Sequence, residues 1–329
     1  LPRSRKCFPA LFSYDKFKIG RQVERWVRRA LEKGVPGLRE EFLSLKRYCP
    51  DDMTTNAFQG TYETGKSRYK DVPCQDKYRV VIHWPGVAED YIHANYIATP
   101  INEKRFICTQ GPMPNSVIDF WHMVIQEESD CIVMLTNTIE KGLNKCEQYW
   151  PNDCGQTATY GDVIVTNAGV RSLAPEETTV RVCILKVHTG RDRTREIRHY
   201  QWVNWPDRGV PPCRLTSMVG KSVLLSNIRG TKKPIVVHCS AGIGRTGAIV
   251  AIEYILEKLQ QGIACESMDQ ILKELRNQRP YTIQNDMQYL FVHRVMLFYF
   301  IDKYKVFADN EEVMSKYKQF VTDYDKATY

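Results

Sequence analysis

Several absences narrow what this 329-residue chain can be. Its longest apolar stretch, Met296 to Ile301, is far too short to span a membrane, and its N-terminal residues lack the apolar core of a secretory leader. Neither a low-complexity tract nor an internal repeat marks a boundary, so the length fits one large domain or two small ones. The seven histidines are scattered, with no HExxH and no Cys/His cluster at zinc spacing, so no metal is assigned and no cofactor is expected. No RNA- or DNA-binding motif is present. The formal charge of +8 is moderate and dispersed, which suits acidic or phosphorylated protein partners better than nucleic acid. Eleven cysteines, an odd number without a CxxC pair, argue against a disulfide framework and for a reducing compartment, the cytoplasm. The chain opens on Leu1 rather than Met, as a processed or excised fragment would.

Against those absences stands one dense constellation, His238-Cys239-Ser240-Ala241-Gly242-Ile243-Gly244-Arg245-Thr246-Gly247. Pro234 to Val237 before it reads as a short buried strand, and Ala248 to Leu259 after it carries apolar residues at helical spacing, at Ile249, Ile252, Leu256 and Leu259. The segment is therefore strand, loop, helix. Glycines let the amides of Ser240, Ala241, Gly242, Ile243 and Gly244 turn inward around a tetrahedral anion, and a helix beginning near Arg245 adds unpaired N–H groups. The same field, with a guanidinium beside it, favours the thiolate of Cys239. No Gly-Lys-Ser/Thr ending follows the loop, which separates it from the nucleotide-binding P-loop. A lone cysteine before a helix is ordinarily packing; Cys with Gly at +3 and +5, Arg at +6 and a hydroxyl at +7 is not.

The rest of the chain supplies a scaffold. Val23, Trp26, Val27, Ala30 and Leu31 form one helical stripe, Pro36-Gly37 breaks it, and Leu38, Phe42 and Leu45 begin another. Strand-like runs follow at Phe106 to Thr109, Cys131 to Thr136, Val163 to Val165 and Val180 to Val187, interrupted by a helix carrying Val117, Phe120, Trp121 and Val124 on one face. Ser267 with Gln270 predicts a capping box for a helix over Ile271 to Asn277, and Asn285 predicts the cap of a long helical segment ending near Tyr304. The expected class is α/β of the α+β type, a mixed β-sheet flanked by helices. Residues 1–60 read as a helical segment packed on a catalytic domain at 61–305, with 306–329 as a C-terminal helical extension.

A thiolate that displaces an oxygen from phosphorus needs a proton donor for the leaving group. Asp207, in Trp205-Pro206-Asp207-Arg208-Gly209-Val210-Pro211, sits on a loop bracketed by Pro and Gly that could swing over the site. With Cys239 and Arg245, this chain resembles the protein tyrosine phosphatase family, whose signature is HC, five residues, then R and S or T. The resemblance implies a highly twisted mixed sheet and hydrolysis of phosphotyrosine through a phosphocysteine, without metal. It also implies roles. Tyr69 and Asp71, in the run Lys66 to Val72, match the phosphotyrosine-recognition loop, where Tyr69 stacks on the substrate ring and Asp71 accepts from the substrate backbone. Glu140 matches a carboxylate that pairs with Arg245, and Lys145 a lysine near the acid loop. Gln284 and Gln288 match the glutamine loop, with Gln284 positioning the attacking water. Thr246 would donate to the sulfur when Cys239 leaves, and His238 would tune the loop through hydrogen bonds.

Three departures from the family pattern stand out: Ser67 and His93, where Asn is usual, and Tyr281, where many members carry a small residue beside the pocket mouth. A phenol at 281 would narrow the rim; the other reading is that it packs outward. Arg191, Arg193, Arg195 and Arg198 read as a solvated basic hairpin or as a recruiter of acidic peptide or phospholipid. The reading adopted is a nonreceptor-like protein tyrosine phosphatase unit acting on phosphotyrosine proteins or peptides. Its alternatives are a dual-specificity phosphatase, a lipid phosphatase, which would favour lysines within Ser240 to Gly244, and a catalytically weak phosphotyrosine-binding module.

Overall fold

The computed structural model describes residues 16–175, 177–190, 193–212, 224 and 226–328. Its centre is a nine-stranded sheet in which β1 (Arg79–Val81), β2 (Tyr91–Ile97), β3 (Phe106–Thr109), β4 (Cys131–Met134), β7 (Thr157–Tyr160), β8 (Val163–Ala174), β9 (Glu177–Thr189), β10 (Arg195–Trp202) and β11 (Ile235–His238) take part; β5 (Ile139–Glu140) and β6 (Leu143–Asn144) form a separate hairpin. The spatial order is β1-β2-β3-β11-β4-β10-β9-β8-β7. β3, β11, β4 and β10 run parallel, while both flanks are antiparallel. A sheet covered on both faces needs strands that are apolar at every position, and β4 and β11 are buried throughout.

The period-two alternation of side chains divides these strands between two cores. Phe106, Cys108, Val133, Ile235 and Val237 join one core, whereas Ile107, Ile132, Met134 and Val236 join the other. The second core is closed by α3 (Val117–Gln126). The first is closed by α1 (Lys16–Ser44), α4 (Arg245–Gln260), α5 (Met268–Arg276), α6 (Asp286–Leu297) and α7 (Glu311–Thr328), whereas the short α2 (Asn56–Gly60) places Phe58 in a small third cluster. Phe106 to Thr109 forms a strand as expected, and α4 begins at Arg245. α4 lies in the middle of the first core, so even Glu253 and Glu257 are buried on it; they pair with Arg229 and Arg105.

Local punctuation differs from the sequence pattern in two places. α1 is interrupted at Gly34 (φ 58°), not at Pro36-Gly37. Gly34 has no Cβ to forbid the left-handed region, and Pro36 falls in the first turn after the kink, where its missing N–H leaves no helix bond unmade. Both stripes are nonetheless buried, with Trp26 stacked on His293 at 5.5 Å and Phe42 against Tyr289 at 5.5 Å. The expected capping box does not form. α5 starts at Met268 rather than Ile271, and Ser267 (φ −82°, ψ 83°) falls short of the extended geometry that aims a capping hydroxyl at the first turn. Asn285, by contrast, caps α6 by accepting from the Gln288 amide, and a π-helical turn over Phe298–Lys303 follows.

Among the described residues, no helix is long and apolar enough to cross a membrane. α7 presents Val313, Tyr317, Phe320 and Tyr324 to the first core, and Tyr317 bonds to Arg294 of α6. Since Phe320 shares this core with the central strands, Phe320→Ala is expected to destabilise the whole molecule by about 3–5 kcal/mol, in one cooperative denaturant transition. Separate loss of helical signal ahead of the main transition would mean that α7 is an independent appendage.

Candidate active site

Ligands of parallel sheets collect beyond the carboxyl ends of the strands, and β11 ends at His238, immediately before the loop that enters α4. Here lies a cavity of about 470 Å³. Cys239, Ser240, Ala241, Gly244 and Arg245 form its base; Tyr69 and Asp71, Lys145 and Asp207, and Gln284 and Gln288 form its walls. Eleven residues from distant segments thus meet in one depression. Arg68, Val72, Leu143, Asn144 and Arg208 also line it, and none of these five carried a sequence-based assignment to the pocket.

The loop's shape is imposed from behind. Gly242 (φ 71°) approaches the carbonyl of Thr109 so closely that a Cβ would sit 2.1 Å from the oxygen. Beneath it Arg279, 1% exposed, donates Nε to the Gly242 carbonyl (2.6 Å) and Nη2 to the Ala241 carbonyl (3.1 Å). With these carbonyls held back, the N–H of Gly242 points to Cys239 Sγ (3.2 Å). Among the described residues, the N–H groups of Ser240, Ala241, Ile243 and Gly244 find no protein acceptor, leaving an anion-accepting nest. Gly242 and Ile243 contribute backbone to this loop without lining the cavity; the Ile243 carbonyl accepts from Gly247 and Ile283.

His238 is buried at the back of the loop. Burial, then the charges of Arg68 and Arg245, pushes its pKa down to about 4, so the ring is neutral. Nδ1 lies 3.1 Å from the Cys239 carbonyl and therefore carries the proton, which makes Nε2 the acceptor of the Tyr149 hydroxyl at 2.8 Å. His199 then donates its Nε2–H to the same phenol oxygen. His93 is likewise neutral, lowered to about 3 by burial and by Arg279; it donates to the Val72 carbonyl and accepts from Arg279. Ser67 bonds to the Tyr91 hydroxyl at 2.9 Å. Both departures from the family pattern have found local partners.

Arg245 is 2% exposed and forms a two-pronged pair with Glu140, Nη1–Oε1 2.6 Å and Nη2–Oε2 3.0 Å. Burial opposes its charge, but Glu140, Cys239 and Asp207 together raise its pKa further. Nη1 also donates to the Trp205 carbonyl (3.0 Å), and Nη2 reaches Asp207 at 3.4 Å. Lys145 donates to the other Asp207 oxygen at 2.9 Å. Burial alone would raise the Asp207 carboxyl; the Lys145 hydrogen bond and the charge of Arg245 more than offset it and hold the pKa below the usual value. On the opposite wall, the Tyr69 hydroxyl bonds to Ser240 Oγ (2.9 Å), and Arg68 ties that loop to the carbonyls of Gly111 and Pro112.

Thr246 Oγ1 is buried without a hydrogen-bond partner, so in this state it does not bond to Cys239. Tyr281 does not line the cavity. Its backbone is in the left-handed region (φ 60°), and its phenol lies against Cys49 in the field of Asp71, with burial raising its pKa above the usual range. Arg191 of the basic cluster lies outside the described residues; Arg195 donates to the Ile125 carbonyl and Arg198 lies 3.9 Å from Asp130. Arg279, the support beneath the loop, has no local signal in the sequence: a buried arginine whose partners are carbonyls thirty-odd residues upstream reads as an ordinary surface charge.

Comparisons with known proteins agree with this geometry. Residues 63–298 match the family model described as protein-tyrosine phosphatase. The chain is 40% identical over 280 residues to a Caenorhabditis elegans protein named tyrosine-protein phosphatase Lar-like, a match spanning 84% of this chain and 12% of the relative. It is 34% identical over 281 residues to human tyrosine-protein phosphatase non-receptor type 9, spanning 79% of this chain and 46% of that protein. Among solved structures, PTPN18 in complex with HER2-pY1196 phosphopeptides superposes with a TM-score of 0.75 at 26% identity, covering 88% of this chain and 100% of that one. The chain belongs to the protein-tyrosine phosphatase family, and it spans about half or less of these two curated relatives' length.

Because the Lys145 hydrogen bond is the strongest of the influences that lower Asp207, Lys145→Met should move its titration upward, toward the ordinary carboxylate value. A carboxyl whose folded pKa is depressed stabilises the fold above its unfolded pKa and loses that contribution as pH falls through the folded value. Weakening the shift therefore shrinks the stability lost on acidification. NMR titration of the Asp207 carboxyl carbon tests this; an unchanged or lower pKa in the variant would show that Lys145 does not hold the charge.

Proposed function

We propose that this chain hydrolyses phosphotyrosine in proteins or peptides through a phosphocysteine on Cys239. The observation that carries the reading is the convergence of Cys239, Arg245 and Asp207 on one cavity whose floor is a nest of free amides. In the first half, the substrate phosphoryl group sits on the Ser240 to Gly244 amides and takes donors from Arg245, displacing Asp207 from Nη2. That exchange removes a cation from Asp207 and brings an anion near it. Both changes raise the carboxyl's pKa, so substrate itself favours the acid form that the leaving tyrosine requires. Sulfur attacks phosphorus, the P–O bond to the tyrosine breaks, and Asp207 gives its proton to the departing oxygen.

In the second half Asp207, now ionised, takes a proton from a water held by Gln284, the new O–P bond forms, and the S–P bond breaks. The buried, unpartnered hydroxyl of Thr246 supports a role in this step, donating to the sulfur as it leaves with a negative charge. Glu140 holds the guanidinium against the phosphoryl oxygens, over which a loose transition state spreads its charge. Tyr69 stacks on the substrate ring, and Asp71 receives the peptide backbone. We take 61–305 as the catalytic domain, with 1–60 and 306–329 as helical additions. The free thiols among the described cysteines favour a reducing, cytoplasmic setting.

Cys239→Ser should abolish turnover of a phosphotyrosine peptide while retaining its binding, because a serine hydroxyl is far less ionised. Asp207→Ala should slow turnover by the roughly 10²–10⁴-fold of a general acid. Substantial activity in the serine variant, or equal efficiency of the native chain on matched phosphoserine peptides, would overturn the reading and favour the dual-specificity class. Tight binding without turnover by the native chain would identify a binding module.

Tyr281 we take as a restriction beside the pocket mouth, supported by its place within the field of Asp71, which lines the pocket. Tyr281→Gly also removes a side chain from a positive-φ position. It should raise kcat/KM for peptides with bulky or doubly phosphorylated flanks and leave a small aryl phosphate nearly unaffected. Equal changes on every substrate would make Tyr281 a packing residue.

A further inference from the structure

Asn285 makes a contact that helix capping does not require. Its side-chain oxygen accepts from the Gln288 amide at 3.0 Å, which completes the cap of α6. Its side-chain nitrogen points the other way and donates to the carbonyl of Arg208, 2.7 Å distant. Arg208 immediately follows Asp207 and holds φ 58°, a conformation that a non-glycine residue keeps only when neighbours impose it.

The described hydrogen bonds that hold residues 205–208 from outside come from three residues, and the Trp205 ring also packs edge-on against Phe291 of α6. Arg245 donates to the Trp205 carbonyl, Lys145 and Arg245 reach the Asp207 carboxylate, and Asn285 grips the Arg208 carbonyl. Arg245 and Lys145 are charged and line the pocket, and in the proposed first half-reaction Arg245 exchanges Asp207 for the phosphoryl group. Asn285 is neutral and does not line the pocket. Its bond can therefore persist through both chemical steps. The same residue also borders the water-handling loop. Gln288, whose N–H it accepts, takes the Gln284 N–H on its own side-chain oxygen at 3.0 Å, and both glutamine side chains lie within about 3 Å of where a Cβ on Gly244 would sit.

We infer that Asn285 is a positioning residue that joins the acid loop to the glutamine loop, so that Asp207 and Gln284 address the same phosphoryl group. This rests on the proposed phosphotyrosine hydrolysis, in which Asp207 protonates the leaving tyrosine and then takes a proton from the water on Gln284. Those two acts require one fixed distance between loops that belong to different elements. The Asn285–Arg208 bond is a neutral, directional tie that fixes it.

Asn285→Asp and Asn285→Ser test the assignment, because both keep a capping oxygen, while the aspartate carboxylate has no donor for Arg208 and the serine hydroxyl ends one bond short of the asparagine nitrogen that reaches it. Each should lower kcat for a phosphotyrosine peptide by roughly three- to tenfold, the range that one neutral hydrogen bond corresponds to, with KM and Tm nearly unchanged. In an Asp207→Asn background neither should cause further loss, since no acid remains to be positioned. An unchanged kcat in the serine variant, a loss confined to the aspartate variant, or an equal loss in the Asp207→Asn background would each overturn the inference. A native chain without phosphotyrosine hydrolysis would overturn the underlying reading and this proposal together, whereas an active native chain with silent Asn285 variants would overturn this proposal alone.

Discussion

The ion pair between Arg245 and Glu140 is the constraint on which the site depends. A guanidinium that is 2% exposed is tolerable only when its charge and its donors are answered, and Glu140 answers it with both oxygens. The consequence reaches beyond the pair. Glu140 ends β5, so the pair pins the β5–β6 hairpin, whose Leu143 and Asn144 form part of the rim, to the first residue of α4. The remaining Nη1 donor goes to the Trp205 carbonyl, which draws the acid loop over the same spot. One side chain therefore organises the floor, one rim and the loop that carries Asp207.

A second arginine does corresponding work from beneath. Arg279 satisfies its guanidinium on the carbonyls of Gly242 and Ala241 and on the side chains of Asn95 and His93. Carbonyls turned down toward Arg279 leave amides turned up toward the cavity, and this peptide orientation distinguishes the loop from an ordinary turn. The arrangement also explains why His93 is neutral. A protonated ring beside a buried guanidinium would place two positive charges together in a region with little water to screen them.

Positional stability of the site comes from the first core. α4 carries Arg245 and runs through its middle, α6 carries the glutamine loop at its N-terminus, and α1 and α7 pack on α6. Glu41 of α1 accepts from the Tyr289 hydroxyl of α6 and pairs with Arg29 and Lys33, a cluster in which these interactions outweigh burial and keep the Glu41 pKa below the usual value. The terminal helices are thus continuous with the scaffold that holds Gln284 and Gln288 in place.

By itself the sequence determined the family resemblance and most of the elements. The run from Pro234 to Leu259 encodes a strand, a glycine-bearing loop and a helix, because apolar spacing and glycines act on neighbours a few residues away. The apolar runs of β3, β4 and β11 were legible for the same local reason, as was Asn285 as a cap. What the sequence placed wrongly were details set by competition between neighbours, such as the kink at Gly34 rather than Pro36 and the missing hydroxyl cap at Ser267. Only the tertiary structure decided which carbonyls Arg279 would hold, that Asn285 would also grip Arg208, and that Tyr281 would lie against Cys49 instead of lining the pocket. Those contacts join residues far apart along the chain, and their partners are mostly backbone carbonyls, which every residue carries and no sequence pattern can distinguish.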